Sequence, residues 1–425
     1  MRRSEMNKVE NVMEQIYEPR RLIEAWQHVR KNAGAAGIDQ MSVQEFDERK
    51  GELMPIIKNK LIAGTYRFKP ARRVEIPKPG SNKVRKLGIP VIMDRIASTS
   101  IQRVFEEIFD GDFTSSNFGY RRGRSQHQAI AHVKKIVEQG HTWCASIDLK
   151  GFFDEIPHEL ILKLIRRKIA DEPLVTLIAR ALKAGVLVEG VFEKTTKGCP
   201  QGSPLSPTIS NIVLNEMDQE LERRGLSYCR WADDCVILLK SERAAHRVFE
   251  GMIRYLEDTL NLPVNREKSE VAKIKDITFL SVRVSGRRIK ISDEAILKFK
   301  RKVKLLTRRN NPLSMHQIIT ELSQYLRGWI GYFRMQQMAG ILGKLDLWIR
   351  HRLRVMQLKK WKKPKKFQRV MIKAGFDPRE AYRTWVNMKT WRSAQRKIVC
   401  LVLSHEWFRN MGLVFLNDYK PASLT

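Results

Sequence analysis

The feature that most constrains this chain is a pair of adjacent aspartates, Asp233 and Asp234, in RWADDCVILLK (Arg230 to Lys240), between a short apolar segment and the strand-like run Val236 to Leu239. Ionised carboxylates do not enter a core unpaired, so the chain is expected to turn there and form a hairpin. Near such a turn two carboxylates repel and raise each other's pKa unless a cation intervenes. An ordinary hairpin turn would also accommodate the pair. A third acid, Asp148, ends an apolar strand in SIDLKGFFDEIPH (Ser146 to His158) and precedes a turn at Gly151. Taken alone, it reads more readily as a cap on the following helix. Hard Mg²⁺ prefers carboxylate oxygens and keeps positions open for phosphate and water. One aspartate from a strand plus a hairpin pair therefore suits a two-metal phosphoryl-transfer centre, with Mn²⁺ as a possible substitute ion.

The charge balance points the same way. Lys plus Arg number 79 against 46 Asp plus Glu, a net charge of +33, which excludes a neutral small molecule as the main ligand and favours a polyanion. With 425 residues, 43% of them hydrophobic, the chain can bury more than one core. The five cysteines show no metal-knuckle or redox spacing, the N-terminus is too polar for a signal peptide, and no stretch has the length of a membrane span. These features predict a cytoplasmic protein with no membrane partner.

Periodicity predicts helix over the first thirty residues (Val12, Ile16, Leu22, Trp26), a break at AGAAGID (Ala33 to Asp39) and a second helix from Phe46 to Leu61. Two short runs, Val74 to Ile76 and Val84 to Ile89, flank Pro79-Gly80-Ser81-Asn82 as a basic hairpin. Strand-like and helix-like segments then alternate from Met93 to Leu306, a mixed α/β pattern with a small antiparallel sheet; Asn211 to Arg224 is one of its helices. After Ser285 the pattern predicts helix throughout, with a stripe at Ile296, Phe299, Val303 and Leu306 and a capping box at Ser314 and Gln317. From Arg350 to Lys373 the chain carries eleven basic residues and no acid.

The glycine- and proline-rich KGCPQGSPLSPTISNIVLNEMD (Lys197 to Asp218) runs into a helix, and such loops let backbone approach a nucleotide closely. DLKGFFD, PQGSPLSP and WADD, in that order, resemble the palm motifs of reverse transcriptases. ARRVEIPKPGSNKVRKLGIPVIMDRI and FGYRRGRSQHQAI resemble fingers segments of group II intron reverse transcriptases, and LNLPVNREKSEV and FLSV resemble their later palm motifs. YLRGWIGYFRM resembles the start of their maturase or thumb domain, and AGAAGIDQMS their N-terminal extension. The likeness runs over nearly the whole chain, and an endonuclease-less class is the closest match.

The resemblance implies α/β plus all-α: a right-hand polymerase fold of fingers and palm, then a helical thumb/maturase domain. Its expected boundaries are 1–70 for the N-terminal extension, 71–285 for fingers and palm, and 286–425 for the thumb/maturase domain. It implies an RNA-directed DNA polymerase that uses two Mg²⁺ ions, held by Asp148, Asp233 and Asp234 with Leu149 as a further metal position. Lys78, Arg85, Gly151, Phe152, Phe153, Gln201 and Lys268 are the implied nucleotide-binding residues, with Phe153 as the gate against a ribose 2′-hydroxyl. Asn265 is placed near the triphosphate, and Gly202 lies with Gln201 under the templating pair. Arg327, Arg350, Arg354, Lys359, Lys360, Lys362, Lys363, Lys365 and Lys366 are the implied nucleic-acid contacts, with Trp361 interleaved. Implied partners are group II intron RNA, an RNA template with DNA or RNA primer, dNTPs and target DNA. The chain departs from the family pattern at Trp231, where tyrosine is common, and at Ser281 and Ser203, where glycine is frequent. Two other roles stay open: a domesticated relative in host DNA repair or defence, and a non-catalytic RNA-binding splicing factor.

Overall fold

The computed structural model describes residues 8–77, 84–335, 339–361, 364–386 and 390–419. The chain divides into two units, Met1–Ile277 and Thr278–Thr425. The first unit is mixed α/β and the second is mostly helical, as the sequence pattern predicts.

The first unit opens on two helices, Val12–Tyr17 and Pro19–Asn32, where one was expected. Proline disfavours helical backbone in the residue before it, and Glu18 accordingly sits at φ −53° and ψ 129°. The helix expected from Phe46 to Leu61 is also divided, into Val43–Glu48 and Lys50–Ile62, with Arg49 outside helical geometry. Pro55 lies inside the second of these helices, where it has no N–H to give the carbonyl of Gly51, and the helix continues through it.

The strands of this unit are β1 (Ala71–Pro77), β2 (Val84–Ile89), β3 (Trp143–Ile147), β4 (Val186–Val188), β5 (Val191–Glu193), β6 (Ser227–Trp231), β7 (Asp234–Leu239) and β8 (Glu270–Lys273). β1 and β2 form the expected basic hairpin, which pairs with β4 and β5 in the order β2-β1-β4-β5. The second sheet runs β6-β7-β3-β8 and is antiparallel throughout. Helices Gln126–Glu138, Ser206–Arg223 and Glu242–Arg254 pack on it, which buries Cys235 to Leu239 and explains that continuous apolar run. Cys144, Cys199, Cys229 and Cys235 are free thiols buried in this unit.

The second unit begins with a hairpin, not with helix as expected after Ser285: β9 (Val282–Ser285) pairs with β10 (Arg288–Ile291). Ile289 and Ile291 are buried while Arg288 and Lys290 are exposed, a period of two that a helix could not satisfy. Ser292 then caps helix Asp293–Leu306, where Phe299 and Val303 are buried on the expected stripe. Ser314 and Gln317 form the capping box of helix Met315–Phe333. Helices Ala339–Lys360, Pro364–Lys373 and Pro378–Val386 follow around a core running from Phe299 to Leu416. Among the described residues no helix is long and apolar enough to cross a membrane.

Candidate active site

Strand register brings the three aspartates to one edge of the second sheet. Ile147, the last residue of β3, pairs with Cys235 of β7, so Asp148 follows directly beside Asp234. Trp231 pairs with Asp234 across the β6–β7 hairpin, leaving Ala232 and Asp233 as its two-residue loop. Asp148 is not a helix cap. Its carbonyl accepts from the backbone of Asn265 at 2.8 Å, its N–H donates to Ser269 Oγ at 3.0 Å, and its Oδ2 accepts from Asn265 Nδ2 at 2.9 Å. Lys268 Nζ lies 3.5 Å from the same oxygen. One loop, Asn265 to Ser269, thus both orients Asp148 and places a cation against it.

The carboxylates feel one another. Burial, then the neighbouring charges of Asp233 and Asp148, lift Asp234 from the ordinary aspartate range to about 6, and Lys268 opposes this. Asp233 is raised by burial and by Asp148, while Lys268 and Arg85 pull it down. Among the described residues no three such groups already form a cation cage. The donor set is nevertheless suited to Mg²⁺: hard oxygens on partly desolvated like charges, a situation a divalent ion relieves.

A cavity of about 1500 Å³ opens on this edge, larger than a nucleotide alone needs. Asp148, Leu149, Gly151, Phe152, Phe153, Asp233, Arg85, Gln201, Gly202 and Lys268 all line it, whereas Asp234 stands at the hairpin beside it. Phe152 is buried in the core, while Phe153 is half-buried against it with ring centroids 5.5 Å apart. Gln201 does not cap the following helix; its Nε2 donates to Asp154 Oδ2 at 3.0 Å. The loop carrying it is pinned to β2, since Gly88 N–H donates to Gln201 O at 2.6 Å and a Cβ on Gly202 would fall 2.3 Å from Gly88 O. Ser203 also lines the cavity.

Two parts of the wall were not anticipated. His28, Val29 and Asn32 to Ala35 line it from the N-terminal segment, which Arg72 secures by donating to Ala36 O at 2.8 and 3.0 Å. Tyr120 lines it as well, at φ 55°, with its hydroxyl raised by burial and by Asp233. Its only sequence signal was a place within FGYRRG.

The basic stretch of the second unit separates into two groups. Arg354 donates to Leu403 O at 3.0 Å, and Lys360 to the carbonyls of Asn311 and Leu313 at 3.1 and 2.5 Å. Lys359 bonds Asn310 Oδ1, Arg350 is half-buried, and Trp361 is buried rather than interleaved for stacking. Arg354 and Lys360 thus tie parts of the helical unit together. By contrast, Lys365, Lys366 and Arg327 are exposed, and Arg369 and Lys373 continue the first two along one helix. Lys78, Lys362 and Lys363 lie outside the described residues. Ser281 sits at φ 64°, a backbone region that favours glycine, which gives the frequent glycine there a physical reason.

Comparison with known proteins adds two family matches. Residues 76–284 match the family described as reverse transcriptase (RNA-dependent DNA polymerase), and residues 296–375 match the group II intron, maturase-specific domain. Protein YkfC of Escherichia coli (strain K12) is 31% identical over 331 residues, covering 68% of this chain and 87% of YkfC. The group II intron-encoded protein LtrA of Lactococcus lactis subsp. cremoris is 32% identical over 266 residues, 59% of this chain and 44% of LtrA. The putative COX1/OXI3 intron 1 protein of Saccharomyces cerevisiae is 36% identical over 167 residues, 39% of this chain and 20% of that protein. The chain thus spans less than half the length of these two intron proteins.

Proposed function

The chain belongs to the family of group II intron-encoded reverse transcriptases and maturases, and from that premise we propose that it copies RNA into DNA at the Asp148–Asp233–Asp234 edge and binds intron RNA to assist splicing and retrohoming. The observation that carries the reading is the register of β3, β6 and β7, which sets three carboxylates at the mouth of a cavity with basic side chains on its walls.

Asp148, Asp233 and Asp234 would hold two Mg²⁺ ions, with Leu149 adjoining. When bound, these supply positive charge for ionising a primer 3′-hydroxyl and for carrying the charge of a dNTP triphosphate. The chain's own groups do the rest. Arg85 and Lys268 reach into the cavity from two elements and would neutralise triphosphate oxygens. Lys268 would exchange its contact with Asp148 for one with phosphate as the nucleotide enters. Phe153 presents a half-buried ring where the sugar would pass, and Gln201, tethered to Asp154, would support the templating pair. Lys365 and Lys366, with Arg327 elsewhere on the helical unit, would contact the phosphates of intron RNA or target DNA.

The test is primer extension on an RNA template with dNTPs and Mg²⁺. Asp233→Ala should lose cDNA synthesis and keep RNA affinity; Mg²⁺-dependent extension at the wild-type rate by this variant would remove Asp233 from the site.

A further inference from the structure

Behind the aspartate hairpin lies a charge network that none of the site residues above includes. The Arg230 and Asp218 side chains are both 0% exposed, joined by Arg230 Nε to Oδ1 at 2.8 Å and Nη2 to Oδ2 at 2.6 Å. The remaining donor, Nη1, reaches Asn211 Oδ1 at 3.0 Å and the carbonyl of Ala232 at 2.9 Å. Ala232 immediately precedes Asp233 and sits at φ 57°, left-handed backbone that disfavours an L-residue. A contact on its carbonyl therefore holds the turn where the chain would not rest unaided.

The same turn is gripped from its other side. Segment Ser116 to Gly119 runs along β6, with Arg230 N–H donating to Ser116 O and Phe118 N–H to Arg230 O, both at 2.9 Å. Asn211 Nδ2 donates to Gly119 O at 2.9 Å, which links this segment to the arginine. Gly119 lies flat on the turn: a Cβ there would fall 2.0 Å from Ala232 N.

Stability alone gives no reason for such a pair, because well-packed apolar residues replace buried ion pairs without loss. What an apolar pair could not supply is the donor to Ala232. We propose that Arg230 is a positioning residue for the polymerase centre: oriented by Asp218 and Asn211, its guanidinium fixes the Ala232 turn and so sets Asp233 and Asp234 against Asp148. The proposal rests on the polymerase reading given above.

The test compares the full-length protein with the charge-free double variant Arg230→Met/Asp218→Leu, which avoids stranding one buried charge. Mn²⁺ binding is measured by electron paramagnetic resonance without nucleic acid, and single-nucleotide addition on a pre-annealed RNA template gives kcat and the KM for dNTP. The double variant should melt close to the wild type and bind Mn²⁺ about tenfold more weakly, as loss of a ligand-orienting contact does. Its kcat should fall about a hundredfold with KM nearly unchanged, the cost of roughly 1 Å of misplacement. A folded double variant with wild-type Mn²⁺ affinity and kcat overturns the proposal. If the double variant does not fold, Gly119→Ala decides, since its methyl group displaces Ala232 without touching a charge. The same losses support the proposal, and unchanged Mn²⁺ affinity and kcat overturn it. A wild-type protein that adds no nucleotide would instead refute the polymerase reading, and the Mn²⁺ comparison would still judge Arg230.

Discussion

Replacing Asp234 with asparagine should abolish nucleotide addition yet make the metal-free protein more stable. Asp234 titrates at about 6 in the fold, against 3.8 for an ordinary aspartate, because of burial and the charges of Asp233 and Asp148. An acid whose folded pKa is raised contributes stability that is complete below the unfolded value and lost as pH rises through the folded one. At pH 7.5 the whole penalty is therefore present. Two pH units correspond to about 3 kcal/mol; Asp234 is crowded by surrounding protein atoms yet keeps a surface open to solvent, and screening there cuts that to about 1 kcal/mol. For a unit of this size about 1 kcal/mol is roughly 2–4 °C in Tm. Thermal denaturation in EDTA at pH 7.5 should show Asp234→Asn melting higher by that amount. The gain should shrink at pH 5 and vanish by about pH 3, where the wild-type carboxyl is protonated in both states. Mg²⁺ should then raise the Tm of the wild type and leave the variant nearly unmoved. A lower Tm for the variant in EDTA, or a gain that persists undiminished at about pH 3, would refute the reasoning.

Three further outcomes follow. Ser281→Gly should stabilise the protein by about 1 kcal/mol, because φ 64° strains serine and not glycine; a lower Tm would show that the serine side chain outweighs the strain. Phe153→Ala should admit ribonucleotides far more readily than the wild type, measured as the ratio of kcat/KM for dNTP and NTP, and unchanged discrimination would make the ring simply core. Neutralising Lys365, Lys366 and Arg369 to glutamine should flatten the log–log salt dependence of RNA affinity by up to about three units while sparing addition to a short saturating duplex. An unchanged slope would clear this helix of phosphate contacts.

What could be read from the sequence, and what could not, follows from how local each cause is. The aspartate edge was legible because β3 and β7 are apolar runs whose burial fixes their ends, and a carboxylate just past the end of each has one place to go. The helix break at Glu18 depends on Pro19, a local signal that helical periodicity outweighed, whereas no proline stands at the break at Arg49. The β9–β10 hairpin was hidden for a similar reason, since four residues of alternation are short beside the helical stripe that follows. Arg230 was a different case. An arginine inside SYCRW, a strand otherwise too apolar to be exposed, implies a buried acid partner, but nothing local says that the acid is Asp218, twelve residues back on a helix.

The basic stretch shows the limit of charge counting most directly. Eleven positive residues without an acid read as one surface for phosphate, yet a helix sends its side chains in all directions, and a long cation directed inward finds carbonyls. Lys360 and Arg354 end on backbone oxygens at 2.5 to 3.1 Å, so neutralising them would remove hydrogen bonds that secure the helical unit. Lys365, Lys366, Arg369 and Lys373 lie on a separate short helix whose buried residues are Phe367 and Met371. With Phe367 and Met371 facing inward at helical spacing, these ammonium and guanidinium groups are exposed, and among the described residues a phosphate backbone can approach them without first breaking a contact. The part of the charge available to RNA is therefore set by where the apolar stripe points, and among the described residues of this stretch it is concentrated on the short helix past Trp361.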